Sequence, residues 1–261
     1  MRWARIDLEG APTFGIVEGN EIETVTGTPF GEYAGTGRRL DLGSVTFLPP
    51  VFPPTFYCVG LNYLDHILEQ AKKKGVEPNV PQQPDVGYRA QSALIGHGAD
   101  VIIPADAPER VHYEGELVVV IGKQAKNVSE ADALDIVFGY TIGNDVSQRD
   151  WQYGDRTMWR GKNCDTFKPM GPWIETDVDL DSLETSVRVN GKPVITFPTN
   201  NMLFGVEKYI STISKYVTFQ PGDVLWMGTE GSSPNLVDGD VVEIDINQIG
   251  VLRNRFVKEK Q

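Results

Sequence analysis

The stretch Tyr113-Glu114-Gly115-Glu116-Leu117-Val118-Val119-Val120-Ile121-Gly122 imposes the strictest condition on any fold of this chain. Leu117 to Ile121 is apolar enough to be a buried strand, yet two carboxylates open it. Residues i and i+2 of a strand point to the same face, so Glu114 and Glu116 are expected side by side where a core begins. Two like charges that close repel unless a cation or a proton lies between them. A strand end dipping into solvent also yields such a pair, and the spacing alone leaves both readings open.

Most of the remaining chain reads as similar short runs. Strands are expected over 2–8, 13–17 and 21–25, then 56–60, 101–103, 114–121, 137–145, 186–189, 194–197, 224–227, 241–246 and 250–257. Asn190-Gly191 between two of them is a tight-hairpin signal. Helices are expected over 63–74, stopped by Gly75, and over 202–216, where Leu203, Val206, Ile210, Ile213 and Val217 form an apolar stripe. Residues 76–87, with Pro78, Pro81 and Pro84, form a loop, either a lid over a pocket or a passive connector. The segment 31–43 is glycine-rich, and Pro49-Pro50-Val51-Phe52-Pro53-Pro54 is a stiff extended connector. The expected fold is β-rich α+β, with a small N-terminal β domain over 1–50 and a main domain over 51–261. The absence of βαβ alternation argues against Rossmann and TIM-barrel architectures.

Composition narrows the partners. Among 261 residues, 24 Lys and Arg stand against 36 Asp and Glu, a net charge of −12, so no protein-wide attraction to nucleic acid or an anionic membrane is expected. Any anion must be caught by a local cluster of cations. At 40% hydrophobic and 23% charged, the chain can bury a substantial core. Cys58 and Cys164 match neither a disulfide framework nor a zinc spacing, charges at Arg5, Asp7 and Glu9 interrupt any signal-like run, and no apolar stretch spans a bilayer. A cytoplasmic location is the expectation.

With three histidines and no G-x-S-x-G, H-E-x-x-H, Walker or dinucleotide-binding motif, several familiar chemistries are not expected. What stands out instead is Asp145, which ends Phe138-Gly139-Tyr140-Thr141-Ile142-Gly143-Asn144-Asp145. Gly139 and Gly143 mark places where a ligand or another backbone comes close. Glu114, Glu116 and Asp145 would make a hard oxygen site suited to Mg²⁺, Mn²⁺ or Ca²⁺. Arg149, Gln152, Arg156, Arg160 and Lys162 follow, able to hold a carboxylate or to lie on the surface as ordinary charges. On the first helix His66 and Glu69 share a face, either as an oriented base or as a surface ion pair.

These stretches together, in this order, resemble the fumarylacetoacetate hydrolase family, in its smaller bacterial acylpyruvate hydrolase or 2-hydroxyhepta-2,4-diene-1,7-dioate isomerase-like form. The similarity runs through Cys58-Val59-Gly60-Leu61-Asn62-Tyr63 with His66 and Glu69, Tyr113-Glu114-Gly115-Glu116-Leu117, Asn144-Asp145-Val146-Ser147 and Lys162 with Asp165-Thr166-Phe167. It continues through Pro169-Met170-Gly171-Pro172, Pro221-Gly222-Asp223 and Gly228-Thr229, and covers about residues 52–257. The resemblance implies a mixed β-sandwich or roll, a homodimer, and Mg²⁺ or Mn²⁺ on Glu114, Glu116 and Asp145, with Ca²⁺ able to take its place in a crystal. It further implies His66 and Glu69 as a dyad on a mobile lid, catalysis by His66, Glu69 and Lys162, substrate contacts from Arg89, Arg149, Gln152 and Thr229, and support of the metal shell by Thr166.

One departure is Gly87-Tyr88-Arg89-Ala90-Gln91-Ser92, where many relatives have Phe-x-Lys-Pro; an arginine fork replaces a point charge. A further carboxylate found in some larger relatives has no clear counterpart. The activity implied is metal-dependent hydrolysis of a C–C bond in an acylpyruvate-type 2,4-dioxo acid, through a metal-stabilised pyruvate enolate. Decarboxylation of oxaloacetate, or isomerisation of a 2-hydroxydienoate in aromatic catabolism, would use the same site. A catalytically silent binding protein on the same fold is the remote alternative.

Overall fold

A computed structural model describes residues 1–260. Its main feature is one long sheet ordered Tyr33–Asp41, Glu21–Gly27, Ala11–Glu18, Arg2–Leu8, Lys168–Glu175, Val137–Asn144, Gly115–Ile121, Val224–Trp226, Phe56–Val59 and Val86–Tyr88. A second sheet runs Lys192–Pro198, Glu184–Val189, Val241–Ile246, Gly250–Lys258 and Val101–Ile103. The β-rich architecture is as expected. Among the described residues four α-helices accompany the sheets: α1 (Leu64–Lys74), α2 (Arg149–Gly154), α3 (Trp159–Asn163) and α4 (Val206–Ser214). No helix among the described residues is long and apolar enough to cross a membrane.

The strand Gly115–Ile121 is buried throughout and supplies two cores by alternation. Leu117, Val119 and Ile121 join the larger cluster with Val187, Ile244 and Leu252 of the second sheet. Val118 and Val120 face the other way and pack with Trp3, Met170 and Trp226. This period of two places apolar residues on both faces, which explains the unbroken valine run.

The glycines of the neighbouring strand mark close approaches. A Cβ on Gly139 would lie 2.5 Å from the Glu175 carbonyl oxygen, and one on Gly143 would lie 2.5 Å from the Trp226 ring. Both are protein–protein contacts. The hairpin at Asn190-Gly191 forms as expected, with φ of 53° and 73° at the two turn residues.

Several elements differ from the sequence reading. The glycine-rich segment forms the exposed edge strand Tyr33–Asp41, where Gly35 leaves room for the Glu23 carboxylate. Lys168–Glu175 is a central strand despite Pro169 and Pro172. Its register with Val137–Asn144 is irregular between the pairs Ile142–Gly171 and Tyr140–Glu175, and Pro172 falls in that irregularity. Helix α4 is shorter than the apolar stripe because the amides of Leu203 and Phe204 bond to Asn62 instead of starting a helix. Within residues 1–50 the first three strands lie where the sequence places them, and Arg2–Leu8 pairs with Lys168–Glu175, Arg2 opposite Glu175 and Trp3 opposite Ile174.

Gly139→Ala should force the central strands apart. A loss of about 1–3 kcal/mol is expected from overpacking, read as a lower urea midpoint with an unchanged slope. A variant as stable as the parent would show that the strands can yield at this contact.

Candidate active site

Register brings the three carboxylates together. In the antiparallel pair Gly115–Ile121 and Val137–Asn144, Gly115 faces Asn144 and Glu116 faces Gly143. Glu114 precedes one strand and Asp145 follows the other, and the Asp145 amide donates to the Glu114 carbonyl at 2.9 Å. The Asn144 side chain ties the same corner by accepting from the Glu114 amide at 3.0 Å. Carboxylate oxygens of Glu114, Glu116 and Asp145 consequently lie within 4.8 Å of one another, all buried, a set able to hold a divalent cation.

Four cations surround this trio unevenly. Arg89 grips Asp145 with two hydrogen bonds, Nε to Oδ1 at 3.0 Å and Nη2 to Oδ2 at 2.8 Å. Lys162, carried by α3, donates through Nζ to Asp145 Oδ2 at 2.7 Å and to Glu114 Oε2. Lys168 lies under the site, 2.7 Å from Asp145 Oδ1, and also donates to the carbonyls of Val146 and Phe167. Arg149, the first residue of α2, reaches Glu114 Oε1 at 2.7 Å. Its other nitrogens donate to Gln152 Oε1 at 2.8 Å and to His112 Nδ1 at 3.2 Å. Glu116 differs from its neighbours, since its recorded partner is the backbone N–H of Gly228, at 2.9 Å.

Protonation follows this imbalance. Burial opposes ionisation of Asp145, but Arg89, Lys162 and Lys168 overcome it and hold the group well below the usual carboxylate range. Burial likewise opposes ionisation of Glu114, and Lys162 and Arg149 bring it below its ordinary value. Glu116 is pushed up to about 8 by burial and then by the charges of Asp145 and Glu114. Burial lowers Lys168 to about 8 against the pull of Asp145.

The carboxylates with Arg89, Arg149 and Lys162 form the floor of a cavity of about 360 Å³ whose wall includes Leu61, His66, Gln152, Met158 and Thr229. Helix α1 forms part of that wall, with Ile67 and Ala71 buried beneath it. Asn62 anchors the approach to α1 by donating to the carbonyls of Phe204 and Met227. His66 Nδ1 lies 2.6 Å from the Gly231 carbonyl, which fixes that nitrogen as the donor and leaves Nε2 bare.

Some expected roles take a different form. Glu69 shares α1 with His66, but its carboxylate pairs with Lys73 at 2.6 Å and receives the Ser232 hydroxyl at 3.5 Å, while the Gly231 carbonyl holds the imidazole. Arg89 is occupied by Asp145, and the Thr166 hydroxyl accepts from the Ile102 amide at 2.7 Å, away from the carboxylates. Arg160 pairs with Asp155 at 2.7 Å and stacks on Trp151. Sequence reasoning did not find Lys168, whose one signal is an isolated lysine between Phe167 and Pro169 in an otherwise apolar stretch. The Gly231 carbonyl carries no side-chain signal at all.

Comparison with known proteins gives two family matches: the fumarylacetoacetate hydrolase C-terminal family over residues 55–257 and the Rv2993c-like N-terminal family over residues 1–50. The chain is 39% identical to oxaloacetate tautomerase Fahd2a, mitochondrial, of Rattus norvegicus, over 82% of this chain and 70% of the relative. The structure of 5-carboxymethyl-2-hydroxymuconate delta-isomerase from Mycobacterium smegmatis superposes with a TM-score of 0.89, 36% identity, and coverage of 99% of this chain and 100% of that one. Maleylpyruvate hydrolase from Sphingobium sp. SYK-6, in complex with manganese(II) and pyruvate, superposes with a TM-score of 0.81 at 27% identity, over 100% of both chains.

Because Glu116 keeps a proton at neutral pH in the metal-free protein, a divalent cation taking its oxygen must displace that proton. Mg²⁺ binding should therefore release a proton and tighten as pH rises toward about 8, then level off. Calorimetry in buffers of different ionisation enthalpy reads this directly, and Glu116→Gln should remove the proton release. Affinity that stays flat between about pH 6 and 8 would contradict the displacement.

Proposed function

Because the chain belongs to the fumarylacetoacetate hydrolase family, we propose that this enzyme hydrolyses a C–C bond of an acylpyruvate-type 2,4-dioxo acid. The observation that carries the reading is the bare Nε2 of His66 on the wall of a cavity floored by three buried carboxylates. Those carboxylates fit Mg²⁺ or Mn²⁺: they offer only hard oxygen donors, and Glu116 has no cationic side chain of its own. When bound there, such an ion would supply a Lewis acid to the 1-carboxylate and 2-oxo oxygens of the substrate.

The chain's own groups do the rest. His66 takes a proton from water at Nε2 as the water oxygen attacks the C4 carbonyl, while the Gly231 carbonyl keeps Nδ1–H in place. The Gln152 carbonyl oxygen is engaged by Arg149, so its amide N–H₂ remains to donate to the oxygen that gains charge at C4. Lys162 adds positive charge at the same floor. The C3–C4 electron pair then passes to C3, which recovers the proton from the imidazole, leaving a carboxylic acid and pyruvate. The maleylpyruvate hydrolase that resembles this chain, with manganese and pyruvate bound, supports this reading.

A second reading is tautomerisation of oxaloacetate, favoured by the 39% identity to the rat oxaloacetate tautomerase. There His66 would move a proton without an attacking water. Acetylpyruvate, fumarylpyruvate, oxaloacetate and a hydroxydienoate, followed by ultraviolet absorbance, separate the two readings. Acylpyruvate cleavage is expected, and His66→Ala should lower it by about 10²–10⁴-fold, the usual worth of a general base, with Mg²⁺ binding retained in calorimetry. Interconversion of the oxaloacetate tautomers without cleavage of any acylpyruvate would replace the hydrolase with the tautomerase.

A further inference from the structure

We propose that Glu230 is the positioning residue for His66, acting through the Gly231 carbonyl and the first turn of α1. The inference rests on the reading of His66 as the base. Glu230 follows Thr229 in the loop after Val224–Trp226 and belongs to none of the carboxylate, cation or oxyanion groups described above.

Two sets of contacts place it against the imidazole's support. Its Oε1 accepts from the Gly231 backbone N–H at 3.0 Å, and the carbonyl of that same Gly231 receives His66 Nδ1 at 2.6 Å. The carboxylate thus holds the glycine whose oxygen selects the imidazole tautomer. On the helix side, the first-turn amides of α1 have no intrahelical partner, and Tyr63, which precedes the helix, gives no side-chain cap. Glu230 Oε2 is buried with no hydrogen-bond partner among the described residues, and the His66 amide of that first turn lies near enough to the carboxylate to act on its charge. Negative charge at a helix N-terminus is favourable, and His66 is the third residue of α1.

The charge on Glu230 is consistent with that placement. Burial, with Asp65 adding to it, raises the group above its ordinary value, while the Gly231 N–H and the nearness of the His66 imidazole and amide draw it back toward the ionised form. Glu69 is the residue that spacing nominates for the same task, yet it pairs with Lys73 on an exposed stretch of α1. Loss of Glu230 would release the Glu230–Gly231 peptide and, through the φ and ψ of Gly231, the aim of the carbonyl that follows. An imidazole without that acceptor no longer keeps the proton on Nδ1, and Nε2 ceases to be a dependable base.

The test combines imidazole ¹⁵N NMR, assigned with His66→Ala, and steady-state kinetics on acetylpyruvate. In the parent, His66 should show a protonated Nδ1 and a bare Nε2. Glu230→Ala should erase that pattern and lower kcat about tenfold with KM changed less than about twofold, as for a group that acts on the base and not on substrate binding. Glu230→Gln keeps an acceptor oxygen and should restore most of both. A parent imidazole protonated on Nε2 overturns the proposal without any variant, as does an unchanged pattern in Glu230→Ala. If the parent cleaves no acylpyruvate, the hydrolase reading fails, and the tautomer measurement still decides the role of Glu230.

Discussion

The antiparallel register between Gly115–Ile121 and Val137–Asn144 is the constraint on which the site depends. Gly115 opposite Asn144 makes the segment entering one strand and the segment leaving the other depart from the sheet together, so Glu114 and Asp145 are neighbours by construction. Strand alternation then adds Glu116, two residues on from Glu114. A slip of one residue would turn Leu117 and Val119 away from the second sheet and break the carboxylate cluster in the same movement. Core packing and site assembly are therefore one requirement. The valine run that anchors the register is part of the chemistry although it touches no ligand.

Electrostatics divides the labour among the carboxylates. Burying an ion without a partner costs several kcal/mol even after the protein relaxes, and Asp145 meets that demand with Arg89, Lys162 and Lys168. Glu114 meets it with Lys162 and Arg149. Glu116 has a backbone N–H. One member of the trio is left able to change its charge while the other two stay ionised. The overall charge of −12 conceals this, since four cations are concentrated around the three acids on the cavity floor.

Much of this was legible in the sequence because it depends on period and spacing. Glu114, Glu116 and Asp145 could be read from strand alternation and from the glycine-bearing strand that ends at Asp145, and α1 could be read from its pattern and the stop at Gly75. Other elements were hidden by local signals that tertiary context overrode. Pro169 and Pro172 disguised a central strand, Pro172 being tolerated at an irregularity of register, and glycines disguised the edge strand Tyr33–Asp41. Lys168 looked like any lysine until that strand was placed under Asp145. The partner of His66 was beyond reach for a different reason, because a backbone carbonyl has no residue type to recognise.

The joining of residues 1–50 to the main sheet has a mechanical meaning. Arg2–Leu8 covers the far end of Lys168–Glu175, at Ile174 and Glu175, where Glu175 receives the N-terminal ammonium and Arg2, while Leu94–Ile95 pairs with the end whose Lys168 supports Asp145. An uncovered strand there would offer its free backbone to any other chain, the usual route to edge-to-edge association. The N-terminal strands thus serve as a seal. They keep the far end of that strand inside a continuous sheet, and they move the exposed edge outward to Tyr33–Asp41, where a slip in pairing would leave Lys168 undisturbed.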